Sequence, residues 1–169
     1  MDWLNILMKA SAKIKKIVHP LEPIYDEHSK VLILGSFPSV ISRKDMMYYA
    51  NKTNRFWSVM GALFEEEITD HVSFCHKYHL AIWDVIHSCT IEGSSDSSIK
   101  NVIPNDIAGL VQKTHIELIV TTGKKAAALY EQYIHLDLPH MSLPSTSAAN
   151  AKMRLDELVY EYRKIKEVL

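Results

Sequence analysis

V-L-I-L-G-S-F-P-S, residues 31 to 39, is the stretch on which the reading of the chain turns. Four consecutive apolar residues, Val31 to Leu34, have the pattern of a strand buried on both faces, as in a parallel sheet covered by helices. Gly35 ends the run, and a glycine there lets the backbone turn sharply and lets a ligand come close. Open α/β folds bind ligands beyond the carboxyl ends of their strands, so the loop that follows is where chemistry is expected. It sets Phe37 between Ser36 and Ser39 and is stiffened by Pro38. From there the chain runs through V-I-S-R-K-D-M-M-Y-Y-A-N-K-T, residues 40–53, to N-R-F-W, residues 54–57. A helix is predicted from Asn54 to Glu65, with Thr53 as its cap and Phe56, Trp57, Met60 and Phe64 facing the core.

Upstream, residues 2–17 place Trp3, Leu4, Leu7, Met8, Ile14 and Ile17 at near-helical spacing, with lysines between them. This reads as an amphipathic helix packed on the outside of one domain that occupies residues 19–169. H-P-L-E-P-I-Y-D, residues 19–26, is extended by its two prolines. Downstream, three more strands alternate with helices: Leu80–Asp84, Ile116–Thr121 and His140–Leu143. A short helix is expected over residues 69–79, a long polar loop from His87 to Asp106, and a helix from Pro104 to about Lys113. Gly123 precedes the strong helix K-K-A-A-A-L-Y-E-Q-Y, a fair phosphate cradle strengthened by Lys124 and Lys125 but not a P-loop. A last helix puts Leu155, Leu158, Val159, Tyr162 and Ile165 on one face. The order implies an α/β fold, a three-layer α-β-α sandwich around a four-stranded parallel sheet.

With 169 residues, 47% of them hydrophobic, the chain suits one well-cored domain. A net charge of −1 excludes a globally basic coat for nucleic acid and leaves room for a local basic patch. Two cysteines are too few for a disulfide framework or a four-thiolate iron–sulfur cluster, which fits a reducing cytoplasm. The first residues lack the basic and apolar regions of a signal peptide, and no stretch reaches membrane-spanning length. His71, Cys75 and His79 share one helix face, but three ligands along two turns cannot close a tetrahedron unaided, so neither metal nor cofactor is expected.

Three strand-end loops fall on one edge of this sheet: G-S-F-P-S, the region from Asp84 to Asp96, and L-P-S-T-S-A-A-N at residues 143–150. Together with P-I-Y-D, the Tyr48-Tyr49 pair, N-R-F-W, W-D-V at Trp83 to Val85 and D-S-S-I-K-N-V-I-P-N-D at residues 96–106, they resemble the uracil-DNA glycosylase superfamily. The nearest resemblance is to its branch of hypoxanthine (deoxyinosine) DNA glycosylases, over about residues 19 to 165. Better-known members carry Asp or Asn in the first motif, where this chain has Phe37, and a His where it has Leu143. The hypoxanthine branch shares both departures and looks to an asparagine outside the first motif. That residue is Asn54 here, with Asn150 and Asp84 as weaker candidates.

The resemblance implies a monomeric, monofunctional enzyme acting in base excision repair on DNA that contains a deaminated base, hypoxanthine first and uracil second, with no membrane partner. Breaking the N-glycosidic bond passes through an oxocarbenium-like sugar, so a polar group for water and hydrogen bonds to the departing base are what the site must supply. Gly35, Ser36, Phe37, Tyr48 and Tyr49 are the candidate base pocket for a flipped nucleotide. Tyr48 and Tyr49 are not expected to face it together. Pro38, Ser39, Lys124, Pro144, Ser145, Thr146, Ser147 and Asn150 are the candidate DNA contacts. Asn54 could instead only cap its helix. Two other functions fit the same residues: a non-catalytic nucleic-acid or nucleotide-binding module, and a hydrolase of free nucleosides.

Overall fold

The five residues of V-L-I-L-G are all buried, in the middle of a sheet whose neighbours run parallel to it on both sides. The computed structural model describes residues 2–6 and 15–169. In chain order the elements of the domain are β1 (Lys15–Val18), β2 (Val31–Gly35), α1 (Val40–Asp45), α2 (Phe56–Leu63), α3 (His71–Lys77), β3 (Leu80–Asp84) and β4 (Ile86–Ile91). There follow β5 (Lys100–Pro104), α4 (Ile107–Gln112), β6 (Leu118–Thr122), α5 (Lys124–Tyr133), β7 (His140–Leu143) and α6 (Leu155–Tyr162). The parallel sheet has the order β3-β2-β6-β7.

Alternation along these strands feeds two cores. Val31, Ile33, Leu80, Ile82, Leu118 and Val120 face α2, α3 and α6, meeting Phe56, Val59, Met60, Phe74, Leu158 and Tyr162. Leu32, Leu34, Ala81 and Ile119 face the other way, toward α4 and α5. Burying each such Leu, Ile or Val contributes about 1.5–3 kcal/mol, which is why the β2 sequence has no polar position.

A second sheet of three antiparallel strands, in the order β1-β4-β5, covers part of the α4–α5 face. This corrects three expectations. Residues 87–106 are not one long loop: Ile86, Cys89 and Ile91 of β4 pack into the second core with Ile99, while the serines and Gly93 form the turn that masked them. Pro104 ends β5, and the helix it was expected to open begins at Ile107 behind the Asp106 cap. Lys15–Val18 pairs with β4 instead of continuing a helix to Ile17, its lysines lying on an exposed edge strand. Residues 3–6 are helical, with Trp3 and Leu4 exposed, and the rest of the predicted amphipathic stretch up to residue 14 lies outside the described residues.

The helix after N-R-F-W starts at Phe56, and Thr53 does not cap it. Thr53 is exposed and donates to Asn51 Oδ1, whereas Asn54 Oδ1 takes the Phe56 N–H. His71, Cys75 and His79 do not share one helix face. His71 stacks on Trp57 with ring centroids 3.8 Å apart, His79 lies beyond the helix end, and burial pushes the Cys75 thiol up to about 12. Among the described residues no cluster could hold a metal ion, and no helix is long and apolar enough to cross a membrane.

Candidate active site

The carboxyl ends of β2, β3 and β6, with the loop after β7, open onto a cavity of about 410 Å³. Its floor is set by strand register: Gly35 of β2 lies opposite Asp84 of β3. A Cβ on residue 35 would come within 2.5 Å of Asp84 Oδ1, so the glycine at the strand end makes room for a carboxylate as much as for a ligand. Asp84 is 5% exposed and His19 8%. The His19 Nδ1 accepts from the Leu21 N–H, which leaves the imidazole hydrogen on Nε2, directed at Asp84 Oδ2 2.7 Å away.

The aromatic wall follows. Tyr49 is held at a φ of 54°, a left-handed conformation unusual for a bulky residue and found where surrounding structure enforces it. Its ring stacks on Phe56 at 3.9 Å and its hydroxyl meets Thr122 Oγ1 at 3.3 Å. Tyr48 also reaches the cavity, contrary to the expectation that only one tyrosine would, but its hydroxyl is turned away and donates to the Glu22 carbonyl. Burial first and the Asp84 charge second raise both phenols well above their usual range, so both stay protonated. Phe37 is half-buried on the opposite side, edge-on to His19 at 5.8 Å and beneath the Arg43 guanidinium. Pro38 is buried, and Ser39 caps α1 by accepting from the Ser42 N–H. Ser36 donates to Asp96, whose carboxyl is pushed upward by partial desolvation at the rim, although it keeps solvent contact.

Asn54 closes the cavity from the α2 side. Its Oδ1 accepts from the Phe56 N–H and from Thr146 Oγ1, both at 2.9 Å. The backbone donor fixes which amide atom is oxygen, and it leaves Nδ2 at the cavity with no partner among the described residues. Helix capping and a place in the site are therefore one arrangement here. Ser145, Thr146 and Ser147 also line the cavity, with the Ser145 hydroxyl accepting from the Ser147 N–H.

Asn150 lies in an adjoining groove of about 710 Å³, where its side chain donates to the Ser145 carbonyl. Pro144, Lys124, Lys125 and Gly123 line the same groove, at the N-terminus of α5. Gly123, at φ 90°, lets Ser145 approach to where a Cβ would meet it at 3.2 Å. Sequence reasoning missed Arg55, whose guanidinium donates to the carbonyls of Ser147, Asn150 and Met153, and His19, whose partner lies far along the chain.

This arrangement of strand-end loops can be compared with known proteins. The family profile described as Uracil DNA glycosylase superfamily matches residues 22–165. The chain belongs to the uracil DNA glycosylase superfamily. Two relatives named hypoxanthine DNA glycosylase, from Methanosarcina acetivorans and Methanosarcina barkeri, are 33% identical over 136 residues and 28% identical over 137. They cover 76% and 77% of this chain and 85% and 86% of their own. The solution NMR structure of a candidate uracil DNA glycosylase from Methanosarcina acetivorans matches with a TM-score of 0.72 at 31% identity, over 86% of this chain and 96% of that one.

Proposed function

We propose that this DNA glycosylase hydrolyses the N-glycosidic bond of a deaminated base in DNA, hypoxanthine in preference to uracil, as the opening step of base excision repair. The observation that supports the reading is the unpartnered Asn54 Nδ2 at the cavity. Deamination replaces an exocyclic amine, a donor, with a carbonyl, an acceptor. A fixed donor favours hypoxanthine over adenine and uracil over cytosine, because the undamaged base would set donor against donor. The same hydrogen bond strengthens as negative charge builds on the departing base, so it serves catalysis as well as selection. The names of the two relatives support hypoxanthine as the first substrate.

In this reading the base is flipped out of the duplex and stacks on Phe37 or Tyr49. Most hydroxyls proposed as DNA contacts are already engaged: Ser39 in a cap, Ser145 with Ser147, and Thr146 with Asn54. Phosphate contacts therefore fall mainly on Lys124, Lys125 and the first amides of α5, in the groove beside the cavity. The enzyme works as a monomer, and its two free, buried cysteines suit a reducing cytoplasm.

The test is incubation with oligonucleotides carrying one hypoxanthine, uracil or adenine, followed by alkali to cut at abasic sites. Cleavage at hypoxanthine, less at uracil and none at adenine is expected. Binding without release of any base would support the non-catalytic module, and faster release from free inosine than from DNA would support the nucleoside hydrolase.

A further inference from the structure

Within the glycosylase reading, on which this step rests, we infer that Asp84 is the base that holds and deprotonates the attacking water, and that His19 is its positioning residue. Asn54 cannot take that proton, because both lone pairs of its Oδ1 are occupied and only a donor faces the cavity. Asp84 has the complementary state. Its Oδ2 receives the His19 hydrogen, and its Oδ1, above Gly35, has no donor among the described residues.

A carboxylate 95% buried with one hydrogen bond is costly unless the free oxygen is solvated, and a water in the cavity is the available donor. The flanking groups cannot substitute for it. Tyr48 donates to Glu22, Tyr49 pairs with Thr122, and Ser36 turns to Asp96. His19 is itself locked, since the Leu21 N–H prevents its ring from flipping its hydrogen to Nδ1. Strand register, glycine and imidazole thus aim one oxygen into the cavity.

The step balances without a cofactor. The C1′–N bond breaks with its electron pair leaving on the base, a lone pair of the water oxygen forms the new C1′–O bond, and the water proton passes to Asp84 Oδ1. The departing base takes a proton from solvent, and Asp84 later returns its own to solvent. The Asn54 amide gives only a hydrogen bond.

Asp84→Asn is the decisive variant. Its amide oxygen can still accept from His19, while its NH₂ presents a donor where an acceptor is required. Single-turnover cleavage of an oligonucleotide with one hypoxanthine should fall by about 100-fold or more, the lower range for loss of a general base, with affinity for the same DNA and melting temperature near wild type. His19→Gln, which keeps a side-chain N–H, should retain most of the rate, whereas His19→Leu should lose about tenfold or more. If Asp84→Asn does not fold, Gly35→Ala gives an independent reading: its Cβ displaces Oδ1 and should lower the rate with the carboxylate still present. Asp84→Asn or His19→Leu cleaving at the wild-type rate overturns the assignment. A wild-type protein inactive on hypoxanthine, uracil and xanthine DNA alike would sink the glycosylase reading and this inference with it, an outcome distinct from an active variant.

Discussion

One wall of the cavity, residues 35–43, is pinned to the segment 84–98 by many separate bonds, whereas the opposite wall, residues 144–153, hangs mainly on residue 55. On the first side, Val85 and Ile86 N–H groups donate to the Gly35 and Ser36 carbonyls, Ser36 to Asp96, Val40 N–H to Ser94, and Arg43 to both Pro38 and Gly93 carbonyls. On the second, Arg55 alone supplies guanidinium bonds to three carbonyls, and its own N–H donates to the Thr146 carbonyl. Tyr162, donating to Pro144 at 2.6 Å, anchors only the start of the loop. The wall that floors the carboxylate is redundant, and the wall facing it depends on one fork-shaped donor.

That contrast is broken most directly by Arg55→Ala. Three carbonyls lose a charged donor at once, and bonds to charged groups are worth about 1.5–3 kcal/mol each, although water will replace part of that. A loss of about 3 kcal/mol in urea unfolding is expected, together with most of the activity. Arg55→Lys should recover little, because an ammonium cannot reproduce a planar fork reaching three acceptors. An Arg55→Ala protein of wild-type stability would show that the loop is held by Tyr162 and its internal bonds.

Asn54 ties the second wall to the start of α2 and separates positioning from chemistry. Asn54→Ala removes the cap and the Thr146 bond, at a cost of about 1 kcal/mol, and should slow single-turnover cleavage by about 100-fold. Asn54→Asp keeps both acceptor contacts and exchanges only the free donor for an oxygen. It should fold like the parent and still lose at least as much rate, so measuring melting temperature beside cleavage tells the two roles apart. A destabilised but fully active Asn54→Ala enzyme would reduce Asn54 to a cap.

The difference between the walls also marks how far the sequence could be read. The parallel sheet was legible because V-L-I-L, L-A-I-W and L-I-V are short apolar runs, ended by Gly35, Asp84 and Thr121 at the edge where open α/β folds bind ligands. Phe37, Tyr49, Asn54 and the P-S-T-S loop fell on that edge for the same reason. The antiparallel sheet was hidden: β4 and β5 carry Ser, Thr, Lys and Asn among their apolar residues, and β1 pairs with a strand far along the chain, Lys15 lying opposite Ile91. His19 and Arg55 were equally beyond local pattern. Each acts through a contact with residues far along the chain, so neither spacing nor propensity singles it out.

Arg43→Ala gives the smallest effect and the sharpest check on redundancy. Arg43 donates to the Pro38 carbonyl at 2.7 Å and the Gly93 carbonyl at 3.3 Å, and it lies over the Phe37 ring at 5.5 Å. Partial burial lowers its pKa, an indication that its charge is held at some desolvation cost which its removal would return. The wall keeps the backbone bonds from Val85 and Ile86 and the Val40–Ser94 bond, so Arg43→Ala should cost about 1 kcal/mol and change the cleavage rate by less than about threefold. Ser94→Ala should cost about as little alone, since it removes one pin at the same junction. The double variant carries the argument, because two pins on one segment couple where distant sites would add. Unfolding and single-turnover cleavage of the pair should show a loss larger than the sum of the single losses, as the hairpin turn detaches from α1 only when both are gone. Strict additivity would mean that the two bonds hold different things, and that the first wall is, like the second, a set of single points of attachment.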